Sequence, residues 1–111
     1  MGWRKTTLSI LSGQTSSEEL DLQDEGARRK KTITFISPAT LTGVCKIYLA
    51  EGLGGTYGAL NDGFGNDCVL IAGKSQTQGG IVAGALKIVS SLPEGADRTF
   101  VIRGLVDTGG R

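Results

Sequence analysis

The sequence predicts an all-β fold, a single β-sandwich of jelly-roll-like or immunoglobulin-like topology with an extended N-terminal arm. Apolar and β-branched residues fall in short runs separated by Gly, Asn, Asp, Ser and Pro, which is typical of strands joined by frequent turns. Within several runs the apolar residues recur at every second position, the period of a strand. The chain has 111 residues, enough for one modest core but not for a core and a separate substrate domain.

Seven runs are predicted as strands, a number that suits a sandwich. They cover residues 6–12, 17–22, 31–37, 44–50, 67–72, 85–92 and 98–106. In the second run, Leu20 and Leu22 stand two residues apart, which favours a strand over a helix. The expected buried face includes Ile33, Phe35, Ile47, Leu49, Val69, Ile71, Leu86, Ile88, Phe100 and Ile102.

The chain is expected to divide into an arm over residues 1–16, a sandwich domain over 17–106 and a flexible tail over 107–111. The arm has strand-like alternation, and the polar, Gly-containing stretch after it would let it swing away and pair with a sheet edge of a neighbouring subunit. The partner-binding residues predicted for the arm are Trp3, Arg4, Lys5, Leu8 and Ile10. The alternative is that the same segment is the first strand of its own sandwich.

Composition excludes several classes of function. The chain has no His and two Cys, so it lacks the commonest general base and cannot close a four-ligand Cys/His zinc site. We therefore predict no enzyme activity, no catalytic residues, no metal site and no cofactor. Its net charge of +1 argues against binding nucleic acid or an anionic membrane, and no apolar run reaches the roughly 20 residues of a membrane helix. We expect a soluble chain without a secretory signal.

A block of charge is the first local candidate for a binding site. The acids Glu18, Glu19, Asp21, Asp24 and Glu25 are followed by the bases Arg28, Arg29, Lys30 and Lys31. Such a block is usually a solvated loop, and the alternative is a connector that pairs with a complementary edge on a partner.

Two Gly-rich segments offer weaker candidates. Residues 52–58 superficially resemble a phosphate-binding loop, but they lack the Lys followed by Ser or Thr that a P-loop needs, so a long hairpin connection is the better interpretation. Calcium is a second candidate ligand, because four oxygen-bearing side chains surround a Gly turn over residues 61–67. These are Asn61, Asp62, Asn66 and Asp67. The segment lacks a closing bidentate Glu, and the same residues favour an ordinary turn.

The two cysteines allow two states. Cys45 lies on the apolar face of one predicted strand and Cys68 opens the next full one, so a disulfide forms if the two strands bring them together. The alternative is a pair of buried thiols, the default for a cytosolic product.

Three stretches carry a family resemblance. They are residues 12–17 with Leu20, Asp21 and Leu22, then residues 33–43, and finally residues 86–100. Their layout resembles small tailed-bacteriophage virion proteins, β-sandwich chains of about this length. The resemblance covers most of residues 8–106 and rests on strand and turn motifs.

The resemblance implies a virion structural protein made in the host cytoplasm, a capsid decoration (cement) protein present in many copies. The implied partners are the major capsid protein or other virion subunits and further copies of the chain, a trimer being one option. One alternative is a neck or tail appendage of the virion. Another is a carbohydrate-binding module, but its aromatic candidates Trp3, Tyr48 and Tyr57 lie on three separate segments.

Overall fold

A computed structural model describes residues 3–22, 31–61 and 64–106, and these residues form nine strands. The strands are β1 (Trp3–Ile10), β2 (Leu20–Asp21), β3 (Lys31–Ile36), β4 (Cys45–Ala50), β5 (Gly58–Ala59), β6 (Val69–Leu70), β7 (Ser75–Ile81), β8 (Ala85–Ser90) and β9 (Arg98–Val106). No helix in the described part of the chain is long and apolar enough to cross a membrane.

The strands form two antiparallel sheets, and this confirms the predicted β-sandwich. The first sheet has the order β1-β9-β3-β7. The second has the order β2-β8-β4-β5, with β6 pairing along the same strand β4 as β5. When β5 and β6 are counted as one interrupted strand, this is the order of an eight-stranded jelly roll, one of the two topologies predicted.

The core lies between the two sheets and is lined by alternate residues of the longer strands. Phe35 of β3 and Phe100 of β9 are fully buried in the first sheet and face Ile47 and Ile88 of the second. The alternation predicted for β3, β8 and β9 is confirmed, because Ile33, Leu86 and Ile102 are buried as well.

The predicted alternation is wrong in β6. Val69 and Ile71 are exposed at 36% and 55%, whereas Cys68 and Leu70 are buried. The register explains this, because Leu70 pairs with the inward-facing Cys45, and a shift of one residue exchanges the two faces of a strand. Leu49 is only partly buried and packs against the edge of the core.

Residues 3–10 belong to the sandwich and do not form a separate arm. β1 pairs with β9 over its whole length, from Trp3 opposite Leu105 to Ile10 opposite Arg98. Leu8 and Ile10 are 1% and 0% exposed in the core. The boundary at residue 16 therefore does not separate two units in this fold, and the first-strand alternative describes the segment. The predicted tail, residues 107–111, lies outside the described residues.

Candidate functional site

The outer face of the second sheet brings together aromatic and charged residues from four segments. Tyr48 of β4 lies directly opposite Lys87 of β8, so the two side chains share a face. The Lys87 Nζ lies 4.5 Å from the centre of the Tyr57 ring, which places Tyr57 on that face too. We call Tyr48, Tyr57, Lys87 and Glu19 the tyrosine face.

Glu19 holds the Gly-rich loop onto the tyrosine face. Its Oε2 accepts a hydrogen bond from the Tyr57 hydroxyl at 2.5 Å and another from the Gly54 backbone N–H at 2.8 Å. These two bonds and the charge of Lys87 lower the pKa of Glu19 against a small opposing effect of burial. Partial burial, then the hydrogen bond to Glu19 and its charge, raise the pKa of Tyr57. Glu19 is therefore an ionised anchor for the loop.

The tyrosine face offers groups that can bind a ligand. Two phenol groups offer ring surface and hydroxyl groups, and a lysine beside them offers a cationic donor. The Gly54 N–H is already bound to a carboxylate, so the Gly-rich loop over residues 52–58 uses this donor internally instead of presenting it to a phosphate.

A second cluster closes one end of the sandwich around Glu94, whose side chain is fully buried. Its Oε1 accepts from the Thr42 N–H at 2.7 Å and from Arg98 Nε at 2.9 Å. Its Oε2 accepts from the Gly43 N–H at 2.9 Å and from the Ser90 hydroxyl at 2.7 Å. Burial alone would raise the pKa of Glu94, but these four hydrogen bonds outweigh it and lower the pKa to about 2.

The Glu94 cluster holds loops together. The backbone of Glu94 also exchanges hydrogen bonds with the loop after β1, through Gly13 N–H and Gln14 C=O. Gly43 is required for this close packing, because a Cβ there would overlap the Ser90 hydroxyl and approach the Leu92 nitrogen to 2.7 Å. Three loops thus converge on Glu94, two through hydrogen bonds of its backbone or side chain and one that contains it.

The residues predicted as an arm separate into two groups. Leu8 and Ile10 are core residues and are not available to a partner. Lys5 is exposed on the outer face of the first sheet, opposite Arg103. The backbone of Trp3 and Arg4 forms the start of β1, and the structure does not describe their side chains. Partner binding by Trp3 and Arg4 stays a prediction.

The two cysteines are both buried and are not joined by a disulfide, so the disulfide alternative does not hold in this structure. The strand register explains why no disulfide forms. Cys45 pairs with Leu70, so Cys68 lies two residues before the position directly opposite Cys45. Such diagonal neighbours stand about 7–8 Å apart, beyond the Cα separation that a disulfide spans.

The charge block is only partly described. Glu18 Oε1 accepts from the Ser9 N–H at 2.7 Å, and Glu19 belongs to the tyrosine face. Lys31 is buried and donates to the Ala83 carbonyl at 3.5 Å, so it is not part of a solvated basic run. The remaining members of the block between residues 23 and 30, Asp24, Glu25, Arg28, Arg29 and Lys30, lie outside the described residues.

Two of the side chains predicted as calcium ligands already have other partners. Asp67 forms a 2.9 Å ion pair with Lys46, and Asn61 Oδ1 accepts from the Gly65 N–H at 3.3 Å. Asp62 lies outside the described residues. Within the described ranges, no three His, Cys, Asp or Glu side chains are grouped as a metal site requires.

Sequence reasoning missed both clusters because each depends on segments distant in sequence. Tyr57 and Glu19 are 38 positions apart, and Thr42 and Glu94 are 52 apart. The one local signal was the spacing of Glu94 and Arg98, four residues apart, which allowed an ion pair.

Comparison with known proteins extends the fold assignment. The chain is similar to a protein from the solved structure of Bacillus endospore appendages, which are described as a family of disulfide-linked pili. The two sequences are 16% identical, the TM-score is 0.53, and the match covers 92% of this chain and 85% of that one. It is similar to the Yersinia pseudotuberculosis-derived mitogen with 12% identity, TM-score 0.52, and coverage of 99% and 90%.

The SPBc2 prophage-derived protein YomS is also similar, with 18% identity, TM-score 0.52, and coverage of 96% of both chains. No protein-family model matches the sequence, and no curated protein matches it. At these identities the likeness shows a shared fold, and the shared fold is a single sandwich that spans nearly the whole of each chain.

Proposed function

We propose that this protein is a bacteriophage virion structural protein that binds the capsid surface in many copies as a decoration protein. The observation that carries the proposal is the likeness to the SPBc2 prophage-derived protein, which extends over 96% of both chains. The layout of the strand and turn motifs in the sequence supports the same class, and viral capsid domains are among the proteins that use the jelly roll.

The structure also supports a role based on surface contacts. Glu94 ties three loops together at one end, and within the described residues the jelly roll offers two broad outer faces and edge strands with no further strand beside them. Repeated weak contacts of such a subunit on a symmetric particle add up by avidity, so a compact sandwich suffices for decoration.

Copy number tests the proposal directly. Recombinant protein is mixed with purified phage capsids, the particles are sedimented, and bound copies are counted by quantitative mass spectrometry. Hundreds of copies per particle support decoration. A dozen or fewer would identify a neck or tail appendage instead, and no co-sedimentation at all would contradict a virion role.

A second candidate function is carbohydrate binding, favoured by the tyrosine face. Tyr48 and Tyr57 both lie beside Lys87 on one face, although they lie on separate segments of the sequence. Sugar rings stack on aromatic side chains, and lectin domains also use the jelly roll. Tyr48→Ser separates the two functions, since it removes a half-exposed ring without touching the Glu19 hydrogen bonds. Carbohydrate binding predicts lost binding on a glycan array, whereas decoration predicts unchanged binding to capsids.

A further inference from the structure

Among the described residues, the first sheet ends in two edge strands of different character. β1 is an edge of eight residues that pairs with β9 without interruption. β7 is the opposite edge, and its first four residues pair regularly with β3 before the register shifts between Lys31 and Ile33. An edge strand presents free N–H and C=O groups that can bind another strand.

The direction of these free groups can be read from hydrogen bonds outside the sheet. The Ser9 N–H on β1 donates to Glu18, so it points away from β9, and alternation along the strand gives Lys5 and Thr7 the same direction. On the other edge, the Ser37 N–H donates to the Lys74 carbonyl, so Gln76 is oriented toward β3. Ser75 and Thr77 therefore direct their backbone groups outward.

We propose that β7 of one copy of this chain pairs with β1 of a second copy in antiparallel direction, with Thr77 opposite Lys5 and Ser75 opposite Thr7. The directions agree because every neighbour in the β1-β9-β3-β7 sheet is antiparallel, so β7 runs opposite to β1. Two hydrogen-bonded residue pairs supply about four backbone hydrogen bonds. The proposal rests on the proposed multi-copy role and names how the copies contact one another.

The side chains agree with the same register. Lys5, Thr7, Ser75 and Thr77 are all exposed and alternate with residues that face the core side, such as Leu8. Residues that lie opposite each other across a pair of strands must share a face, and these four do. The sheet can therefore continue into the second copy while both sandwiches keep their cores on the same side.

The distribution of charge favours pairing of β1 with β7 of a second copy over pairing with β1 of a second copy. Residues 75–81 carry no charged side chain and no proline, so β7 lacks two common devices that keep edges apart. Two β1 strands paired with each other would bring Lys5 close to Lys5 of the other copy, and like charges across strands are destabilising. The contact is therefore between unlike edges and repeats from copy to copy.

Two structural features limit the length of the contact. Glu18 already occupies the Ser9 N–H at one end of β1. At the far end of β7, Gly79 and Gly80 together face the single residue Thr32, and Gly80 has a φ of +72°. Pairing is confined to the stretch between these points, so each contact is weak and depends on repetition.

Disulfide trapping tests the register. In a chain carrying Thr7→Cys and Ser75→Cys, the two new thiols lie on opposite edges of one sheet, three strand spacings or roughly 14 Å apart, so they cannot bridge within one molecule. Between paired copies they are directly opposite, about 5.5 Å apart at Cα, which a disulfide spans. Mild oxidation is expected to give a ladder of dimers, trimers and longer species on a non-reducing gel.

The matched control is Thr7→Cys with Thr77→Cys, which displaces one thiol by two residues. We expect at least about fivefold less cross-linking for this pair, because diagonal positions are about 7–8 Å apart. Equal ladders from the two pairs, or no ladder from the first pair, would overturn the proposal.

A charge variant gives an independent measurement by sedimentation velocity. Thr77→Lys places a like charge opposite Lys5 and should weaken self-association by about tenfold. The control is Thr99→Lys, which adds the same charge on the inner strand β9 and should change self-association less than about twofold. Unchanged association of Thr77→Lys contradicts the contact. Capsid co-sedimentation is scored separately: ladders without capsid binding reject the virion role alone, and capsid binding without ladders rejects the strand contact alone.

Discussion

Glu94 and Glu19 are held by the same kinds of donors in different surroundings. Each carboxylate accepts backbone N–H and side-chain hydroxyl hydrogen bonds and has a basic residue nearby, Arg98 for Glu94 and Lys87 for Glu19. Glu94 is fully buried at the closed end of the sandwich, whereas Glu19 is exposed on the tyrosine face.

The difference shows what burial adds to a similar set of contacts. Water can replace the donors of Glu19 when its hydrogen bonds open, so Glu19 positions a loop at little cost to the fold. Water cannot reach Glu94, so its donors depend on the carboxylate and would be left unsatisfied without it. The buried carboxylate supports stability, and the exposed one shapes a surface.

Removing the buried carboxylate should give the largest effect. Glu94→Ala leaves the Thr42 and Gly43 N–H groups and the Arg98 guanidinium without their acceptor, and we expect a loss of about 3 to 5 kcal/mol in the free energy of unfolding. Urea denaturation followed by tryptophan fluorescence measures it. Glu19→Ala is the matched control and should shift the midpoint far less, and equal shifts in the two variants would show that burial does not distinguish them.

Lowering the pH should also reduce the stability of the fold through Glu94. The folded pKa of Glu94, about 2, lies below its ordinary value of 4.5, so the folded state binds its proton less readily than the unfolded state. Its contribution is therefore complete above about pH 4.5 and is lost as the pH falls toward 2.

The measurement is the urea midpoint of wild type and Glu94→Gln across that range of pH. We expect the wild type to lose stability more steeply on acidification, because the variant has no carboxylate to protonate at this position. Parallel curves for the two proteins would contradict the lowered pKa.

The alkylation rate of Cys45 reports local opening of the end of the sandwich that Glu94 closes. Burial raises the pKa of Cys45, the negative charge of Glu94 raises it further, and the nearby Ser90 and Arg98 oppose this, so little thiolate is present at neutral pH. We expect neither cysteine to be alkylated in the folded protein and both to be alkylated after unfolding in urea, as read by mass spectrometry.

Glu94→Gln should accelerate alkylation of Cys45 in the folded state several-fold, because it weakens the end that covers this thiol, whereas Glu19→Gln should leave the rate unchanged. Two thiols that stay unlabelled in urea without a reductant would instead indicate a disulfide.

The smallest effect is expected at the tyrosine face. Glu19→Gln removes the negative charge beside the Tyr57 hydroxyl, so Tyr57 should ionise at a lower pH than in the wild type, although burial continues to raise its pKa. Alkaline titration followed by phenolate absorbance detects the shift, and Glu18→Gln is the control. A change in the Glu18 variant of the same size would show that general surface charge, not the hydrogen bond, sets this pKa.

The sequence predicted the strands whose two faces differ clearly. In β3 the run KTITFI alternates between polar and apolar residues, and β9 was located at its observed bounds. β7 was missed because SQTQGGI carries one large apolar residue. Its Gln76 lies at the rim of the core, where its side-chain amide bonds the backbone of Val69 and Ile71. A strand stabilised by polar contacts at an edge has no hydrophobic period to detect.

The sites were less predictable than the strands. Lys31 was counted with a basic run; it begins β3 as predicted, but its side chain lies on the buried side with Ile33 and Phe35. Glu94 was not singled out from the sequence, because a buried acid is recognised by its partners and not by its neighbours in sequence. The function of such residues depends on contacts between distant segments, and a single sequence does not encode these contacts in any local pattern.

The pairing of β1 with β9 has a consequence for biosynthesis. β1 leaves the ribosome before the other eight described strands and β9 leaves after them, and within the described residues β9 is the one strand that pairs with β1. At roughly 5–20 residues per second, β1 waits several seconds with Leu8 and Ile10 unburied while most of the chain is still being made. Translation, rather than the folded lifetime, is therefore the stage at which this strand is most exposed to pairing with the wrong chain.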